Sequence, residues 1–348
     1  MKDQVQQRKQ RWIDFADPST QVNRLLVANY AEGMPERPML WWEKMKEREE
    51  WAYLRYVRQM EDLDVIPDDK VPFLCMLTGT EIFAEAFGCS VHKPNNNTPF
   101  ALPRVFSVED LSKVKKPRLE DTKLVLLFEE ADRLKARVGK DALLGLPDIQ
   151  TPMDIAALIW EKSDFFAAMY EEPEAVHELA YMVREFMFEF FDIWFARYGK
   201  EFSAHFPDYY MPYGVSMSED EIGVVSSQMY REFFEGELWS FSERYGAIGI
   251  HSCSDSAHQW KNLRRIPNLK VINLHRKREE TLQALDFFRG VCGMYPTGEG
   301  ERLTDFGDLK QPEEIHVAVN FYGQTREETR RVAEYFKEHG VFPPDQFR

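Results

Sequence analysis

Eight short apolar runs, most of them separated by stretches with helical spacing, constrain this chain more than any other feature. The runs are Met39–Trp42, Val71–Leu77, Ala142–Ile149, Phe202–Phe206, Ala247–Ile250, Leu269–Leu274, Val291–Tyr295 and Ile315–Val319. Runs of this length bounded by breakers read as buried strands, and strands alternating with helices imply a parallel sheet with crossover connections. Eight such strands close a (β/α)8 TIM barrel of the α/β class. An open doubly wound sheet is the alternative, but no GxGxxG follows the first run, so its dinucleotide fingerprint is missing.

The clearest helix begins at Pro173, with Val176, Leu179, Ala180, Val183, Met187, Phe190 and Trp194 on a 3.6-residue period and Gly199 just past its end. Residues 1–30 are polar and read as an N-terminal helical extension, which leaves 31–348 for the barrel. No linker or internal repeat divides that span. The segment from Cys89 to Pro103, rich in Pro and Asn, reads as a long excursion over one face.

A formal charge of −15 opposes broad contact with nucleic acid or anionic lipid, since both are polyanions. No stretch of about 18 apolar residues could span a membrane, and the first residues lack the apolar core of a signal peptide. The four cysteines (Cys75, Cys89, Cys253, Cys292) are too few and too scattered for a disulfide framework. A cytoplasmic enzyme with a small-molecule substrate is the expectation, and a homodimer is compatible with it.

Barrel enzymes carry their chemistry at the C-terminal ends of the strands, which confines the search. The strand Ala247–Ile250 runs straight into His251-Ser252-Cys253, and residues two apart on a strand point to one side. Imidazole and thiolate together suit zinc. A strand-end His bonded to backbone beside a buried free Cys would leave the same trace. A third ligand has to come from elsewhere, and the candidates are Glu221, His258, His275 and Cys292.

The loop after the fourth run gathers His205, Asp208, Tyr209, Tyr210, Tyr213, Glu219, Asp220 and Glu221. Carboxylates just before a helix can be caps, and they can equally be acids, bases or metal ligands. Trp41 and Trp42 at the end of the first run could wall a pocket, and Arg276, Lys277 and Arg278 could hold an anion or form a solvated face. His92, His177, His316 and His339 have no neighbouring chemistry. No P-loop, GxSxG or HExxH occurs, which argues against an NTPase, an α/β-hydrolase or a zincin.

The order of segments resembles the uroporphyrinogen decarboxylase superfamily, which includes cobalamin-dependent methyltransferases. The resemblance runs from about Arg37 to Val341 and is carried by GTEIFAEAFGCSVH with PFALP, GLPDIQTPMDIAALIW with EEPEAVHELA, SEDEIGVVSSQMYREFF, and above all IGIHSCSDSAHQWKNLRRIPNLKVINL. The last looks like the family's HxCG strand, with Ser254 in place of Gly. True decarboxylases carry an Arg-rich RQAGRY-type segment after the first strand; the expected counterpart here is WWEKMKEREEW. In the methyltransferase branch the third zinc ligand is a Cys near the last strand, where this chain has Asn320, Phe321 and Tyr322.

The resemblance implies a zinc-assisted methyltransferase that moves a methyl group between a small substrate and a corrinoid cofactor or corrinoid protein. His251 and Cys253 would bind the metal, with Glu221 or Cys292 completing it. Trp41, Trp42, His205, Tyr209, Tyr210, His258, His275 and Tyr322 are the candidate substrate-binding residues, and the aromatics among them suggest an apolar or aromatic methyl donor. A second reading is a metal-free decarboxylase, with Asp208, Asp220 or Glu221 as the catalytic acid and Arg276 on the leaving carboxylate. A third is a barrel without catalysis that binds a tetrapyrrole or a protein partner.

Overall fold

The computed structural model describes residues 2–95, 97–298 and 310–343. Among the described residues, eight strands form the barrel: β1 Arg24–Tyr30, β2 Phe73–Leu74, β3 Leu143–Leu144, β4 Val215–Ser218, β5 Ile248–Ser252, β6 Leu269–Leu274, β7 Gly293–Met294 and β8 Val317–Gly323. Parallel pairing runs from β4 through β5, β6, β7 and β8 to β1, and separately joins β2 to β3. A parallel bridge from Gln150 to Ser218 links the end of β3 to β4.

Two strands differ from the expected runs. The first lies in the segment expected to be a polar extension, where Leu25, Leu26, Val27 and Ala28 are fully buried. Met39–Trp42 forms no strand; flanked by Pro35 and Pro38, it passes into a 3-10 turn at Trp42–Lys44 and then helix α2, Met45–Asp62. Phe202–Ser203 does pair, but antiparallel with Tyr210–Met211, as a hairpin standing before the true fourth strand. That strand, Val-Ser-Met-Ser, is buried at all four positions despite its two serines.

The seam between β1 and β2 is closed largely by side chains, because β2 is too short to satisfy the edge of β1. Asp69 N–H donates to the Leu26 carbonyl at 2.7 Å, and the carboxylates of Asp69 and Asp68 accept from Leu26 N at 2.9 Å and Ala28 N at 3.0 Å. Helix α1, Lys2–Phe15, neutralises these acids by pairing Arg8 with Asp68 and Arg11 with Asp69. Its Trp12 and Phe15 are buried against the N-terminal ends of the strands; a Cβ at Gly293 would collide with the Phe15 ring. The N-terminal helix is therefore part of the barrel's packing.

Outside the sheet, α2 is tied to α3, Val125–Val138, by a fully buried Arg48–Glu130 pair at 2.7 Å. After a short helix α4, Pro152–Ile159, comes the long α5, Pro173–Tyr198. Helix α5 buries its expected apolar stripe, has Pro173 in its first turn, and ends at Gly199 with φ +91°. Among the described residues, no helix is long and apolar enough to cross a membrane.

Candidate metal centre at the barrel mouth

The ends of β4 and β5 bring three ligand-type side chains together. One ligand atom each of Asp220, His251 and Cys253 lies within 4.8 Å of the others. Ser218 is paired with His251 in register, so the chain leaving β4 carries Asp220 past the residues that end β5. Asp220 is fixed from both sides: its N–H donates to Asp154 at 2.7 Å, and its Oδ1 accepts from Cys253 N–H at 2.6 Å. Asp154, buried on α4, also accepts the Glu221 N–H at 3.0 Å, so one carboxylate holds the whole turn.

His251 is oriented by Asn273, its register partner on β6, whose Oδ1 faces the imidazole Nδ1. The amide of Asn273 also donates to Tyr295 O and to Thr297 Oγ1, so its oxygen is the atom left for His251. Nδ1 then carries the proton, and the Nε2 lone pair is available to a metal. Burial, and after it the neighbouring His205, push the His251 pKa down, which keeps the ring neutral. Partial burial and then the Asp220 carboxylate push the Cys253 thiol up to about 12. A cation at this point would reverse that shift and draw off the proton.

Glu219 is buried next to Asp154, and burial and that neighbour hold its pKa well above the usual carboxylate range. Two backbone N–H donors favour negative charge on Asp154, so the proton of the pair resides on Glu219.

The other expected site residues divide sharply by position. His205 sits beside the trio: its Nε2 lies 3.1 Å from both Ser218 Oγ and Asp148 Oδ1, and its ring is 6.3 Å from that of His251. Glu221, expected as a ligand, is paired with Lys162 at 2.6 Å. Cys292 is buried just before β7, near Tyr209 and at the opposite end of the barrel. His258 bonds the Val225 carbonyl, and His275 is exposed with Nδ1 3.1 Å from Thr297 Oγ1.

Tyr209 and Tyr210 do not line the mouth. The Tyr209 hydroxyl meets Ser216 Oγ at 2.8 Å inside the barrel, where a Cβ at Gly249 would strike it, and Lys9 of α1 lies over the Tyr210 ring. Trp42 donates to Glu85 at 2.6 Å and stacks under Arg48, so it belongs to the helical layer, and Trp41 is half-buried next to it. Arg276 braces the site from outside by donating to Cys253 O at 2.8 Å. Asn320 accepts from the Tyr295 hydroxyl and takes no part in the trio.

A cavity of about 610 Å3 reaches His205 and Phe206, the two rings that neighbour His251. Its wall includes His205, Phe206 and Tyr322, together with Asp208, which is ion-paired to Arg55 of α2. The Phe206 ring stands 5.2 Å from that of His251, edge to face. Asp148, Asp154, Asn273 and Arg55 are the residues that the spacing did not single out. Asp154 carried one faint signal: an acid in the first turn of a helix otherwise apolar throughout, which reads equally as a dipole partner.

The uroporphyrinogen decarboxylase (URO-D) family profile matches residues 67–287, well over half of the chain. The chain belongs to the uroporphyrinogen decarboxylase family. Among solved structures, this family member resembles a methyltransferase from Methanosarcina mazei, with a TM-score of 0.64 at 11% identity over 96% of this chain and 99% of that one. At that identity the likeness establishes a shared barrel fold. No curated protein matches the sequence. In the family frame the segment after the first strand is Ala31–Pro38, because the strand ends at Tyr30; it holds a single arginine, Arg37.

Proposed function

We propose that this protein is a metal-assisted methyltransferase of the URO-D family, in which Asp220, His251 and Cys253 hold one Zn2+ and leave a fourth position for substrate. The convergence of three ligand atoms within 4.8 Å, of types that zinc accepts, carries this reading. Asn273 and Asp154 supply the outer contacts that such sites use to aim their ligands. Asp220 replaces the third ligand that the resemblance placed near the last strand.

When bound there, zinc would act as a Lewis acid on the substrate heteroatom. The chain's own groups do the rest. His205, backed by Asp148, lines the cavity beside the trio, where a proton can be given to or taken from the heteroatom as the methyl group leaves or arrives. Phe206 stands between the cavity and His251 and limits water there. The methyl carbon would pass between that heteroatom and the cobalt of a corrinoid or corrinoid protein.

The test is methyl transfer to reduced cobalamin, followed by visible absorbance, with a panel of methyl ethers, thioethers and amines. The proposal expects turnover that chelator abolishes and zinc restores, and that Asp220→Asn reduces. Carbon dioxide release from a carboxylated substrate, indifferent to chelator, would favour the metal-free decarboxylase instead. Against that reading, Asp208 is committed to Arg55 and Glu221 to Lys162.

A further inference from the structure

His275, a candidate ligand by sequence, lies outside the trio and is exposed, with its ring against Gly298, where a Cβ would come within 3.3 Å of its Cε1 and Nε2. The sheet nevertheless ties it to His251. Asn273 is the register partner of His251 across β5 and β6, and His275 follows Asn273 by two residues, on the same side of the chain. Thr297, beyond the end of β7, meets His275 in a parallel bridge.

The donors and acceptors between the two histidines follow one from another. Tyr295 O can only accept, so the Asn273 atom that faces it is the amide nitrogen, and Oδ1 is left to accept from His251 Nδ1–H. The second N–H of that amide reaches Thr297 Oγ1 at 3.2 Å. The Thr297 hydroxyl is fully buried and, having accepted one bond, still has its own proton to give. Among the described residues, the side-chain acceptor within its reach is His275 Nδ1, at 3.1 Å. Every bond therefore runs the same way: His251 donates to Asn273, Asn273 to Thr297, and Thr297 to His275. Bonds aligned in this sense polarise one another, and this chain starts at the imidazole whose tautomer decides whether Nε2 can hold a metal.

We propose that Thr297 and His275 are positioning residues for His251: a relay from the exposed ring through the Thr297 hydroxyl and the Asn273 amide holds the His251 proton on Nδ1 and leaves Nε2 unprotonated. Neither residue belongs to the trio, so each acts through Asn273. The tautomer stands on these hydrogen bonds alone; only its use in binding zinc rests on the methyltransferase reading.

The experiment records long-range proton–nitrogen NMR spectra of protein isotopically labelled in its histidine nitrogens and stripped of metal by chelator, with the His251 signals assigned from their loss in His251→Gln. The parent should show His251 as the Nδ1–H tautomer. In Thr297→Val one amide N–H loses its acceptor, and in His275→Phe, where the new ring fills the place of the old and keeps water out, the Thr297 proton loses its own. Both variants should show His251 as a mixture of tautomers. Thr297→Ser and His275→Asn, which return a hydroxyl and an acceptor oxygen to the same places, should restore the parent spectrum. Zinc affinity by chelator competition should fall by about tenfold in Thr297→Val and by about two- to tenfold in His275→Phe. His275 is exposed, so its variant tests the relay even if Thr297→Val disturbs folding. A parent with the His251 proton on Nε2, or a His251 signature unchanged in His275→Phe, would overturn the proposal whatever zinc does. A parent that shows the Nδ1–H tautomer and loses it in both variants, yet takes up no zinc, would keep the relay and remove the metal reading.

Discussion

Replacing Asp154 by Ala should damage both stability and metal binding, because one buried carboxylate holds the turn that presents Asp220. The substitution leaves the N–H groups of Asp220 and Glu221 without their acceptor. An orphaned buried donor costs about 1 to 3 kcal/mol, so the pair costs about 2 to 6 kcal/mol. For a chain of 348 residues, an unfolding entropy of about 2.1 cal/mol/K per residue converts each kcal/mol into about 1.4 °C, a fall in Tm of about 3 to 8 °C. Asp154→Asn keeps one acceptor oxygen and should lose about half as much. With Asp220 released, zinc affinity measured by chelator competition should fall by about 10- to 100-fold, as when an outer contact of a metal site is cut. Scanning calorimetry and the competition assay on parent and both variants decide the matter. An Asp154→Ala protein that melts within about 1 °C of the parent and binds zinc equally well would show that Asp154 does not hold the turn.

Arg48→Met strands the buried Glu130 carboxylate and should cost about 3 to 5 kcal/mol in urea unfolding, whereas the double variant with Glu130→Leu should recover most of it. Burial pushes the Glu81 carboxyl up to about 7 from 4.5. Its proton therefore contributes stability that is complete below about pH 4.5 and lost as pH rises through 7, and Glu81→Gln should flatten the stability change between pH 5 and 8 by up to about 3 kcal/mol. Glu221→Gln and Cys292→Ser should retain metal in elemental analysis, because one carboxylate faces Lys162 and the other thiol lies at the far end of the barrel. Asn273→Ala should weaken zinc binding by about 10- to 100-fold by freeing the His251 ring, measured by the same chelator competition.

The barrel was legible because most of its strands are short, continuous and apolar, and because α5 carries a full helical stripe between a proline and a glycine. The errors have physical causes. Met39–Trp42 has the composition of a buried strand but lays the half-buried Trp42 ring against Arg48 of α2 and bonds it to Glu85. Arg24–Tyr30 follows a polar helix, and on one edge it is satisfied by the carboxylates of Asp68 and Asp69, which no strand pattern encodes. Val215–Ser218 looks like a loop because its serines are polar, yet Ser216 and Ser218 find Tyr209 and His205 as partners.

At the site, the His251–Cys253 pair was readable from two-residue strand spacing. The choice among Asp208, Asp220 and Glu221 was not, because it is made by Arg55, Asp154 and Lys162, all distant in sequence. The arginine-lined cavity was hidden for the same reason. Its arginines come from one loop and one helix whose charge pattern is that of an ordinary solvated face, and Lys70 comes from the segment before β2.

The metal centre is tested most directly by the zinc content of untagged protein, measured by elemental analysis for the parent and for His251→Ala, Cys253→Ala and Asp220→Ala. The parent should carry about one zinc per chain, and all three variants should lose it. A parent that takes up no zinc after incubation with the metal, or variants that keep it, would contradict the assignment of these three residues as a metal centre.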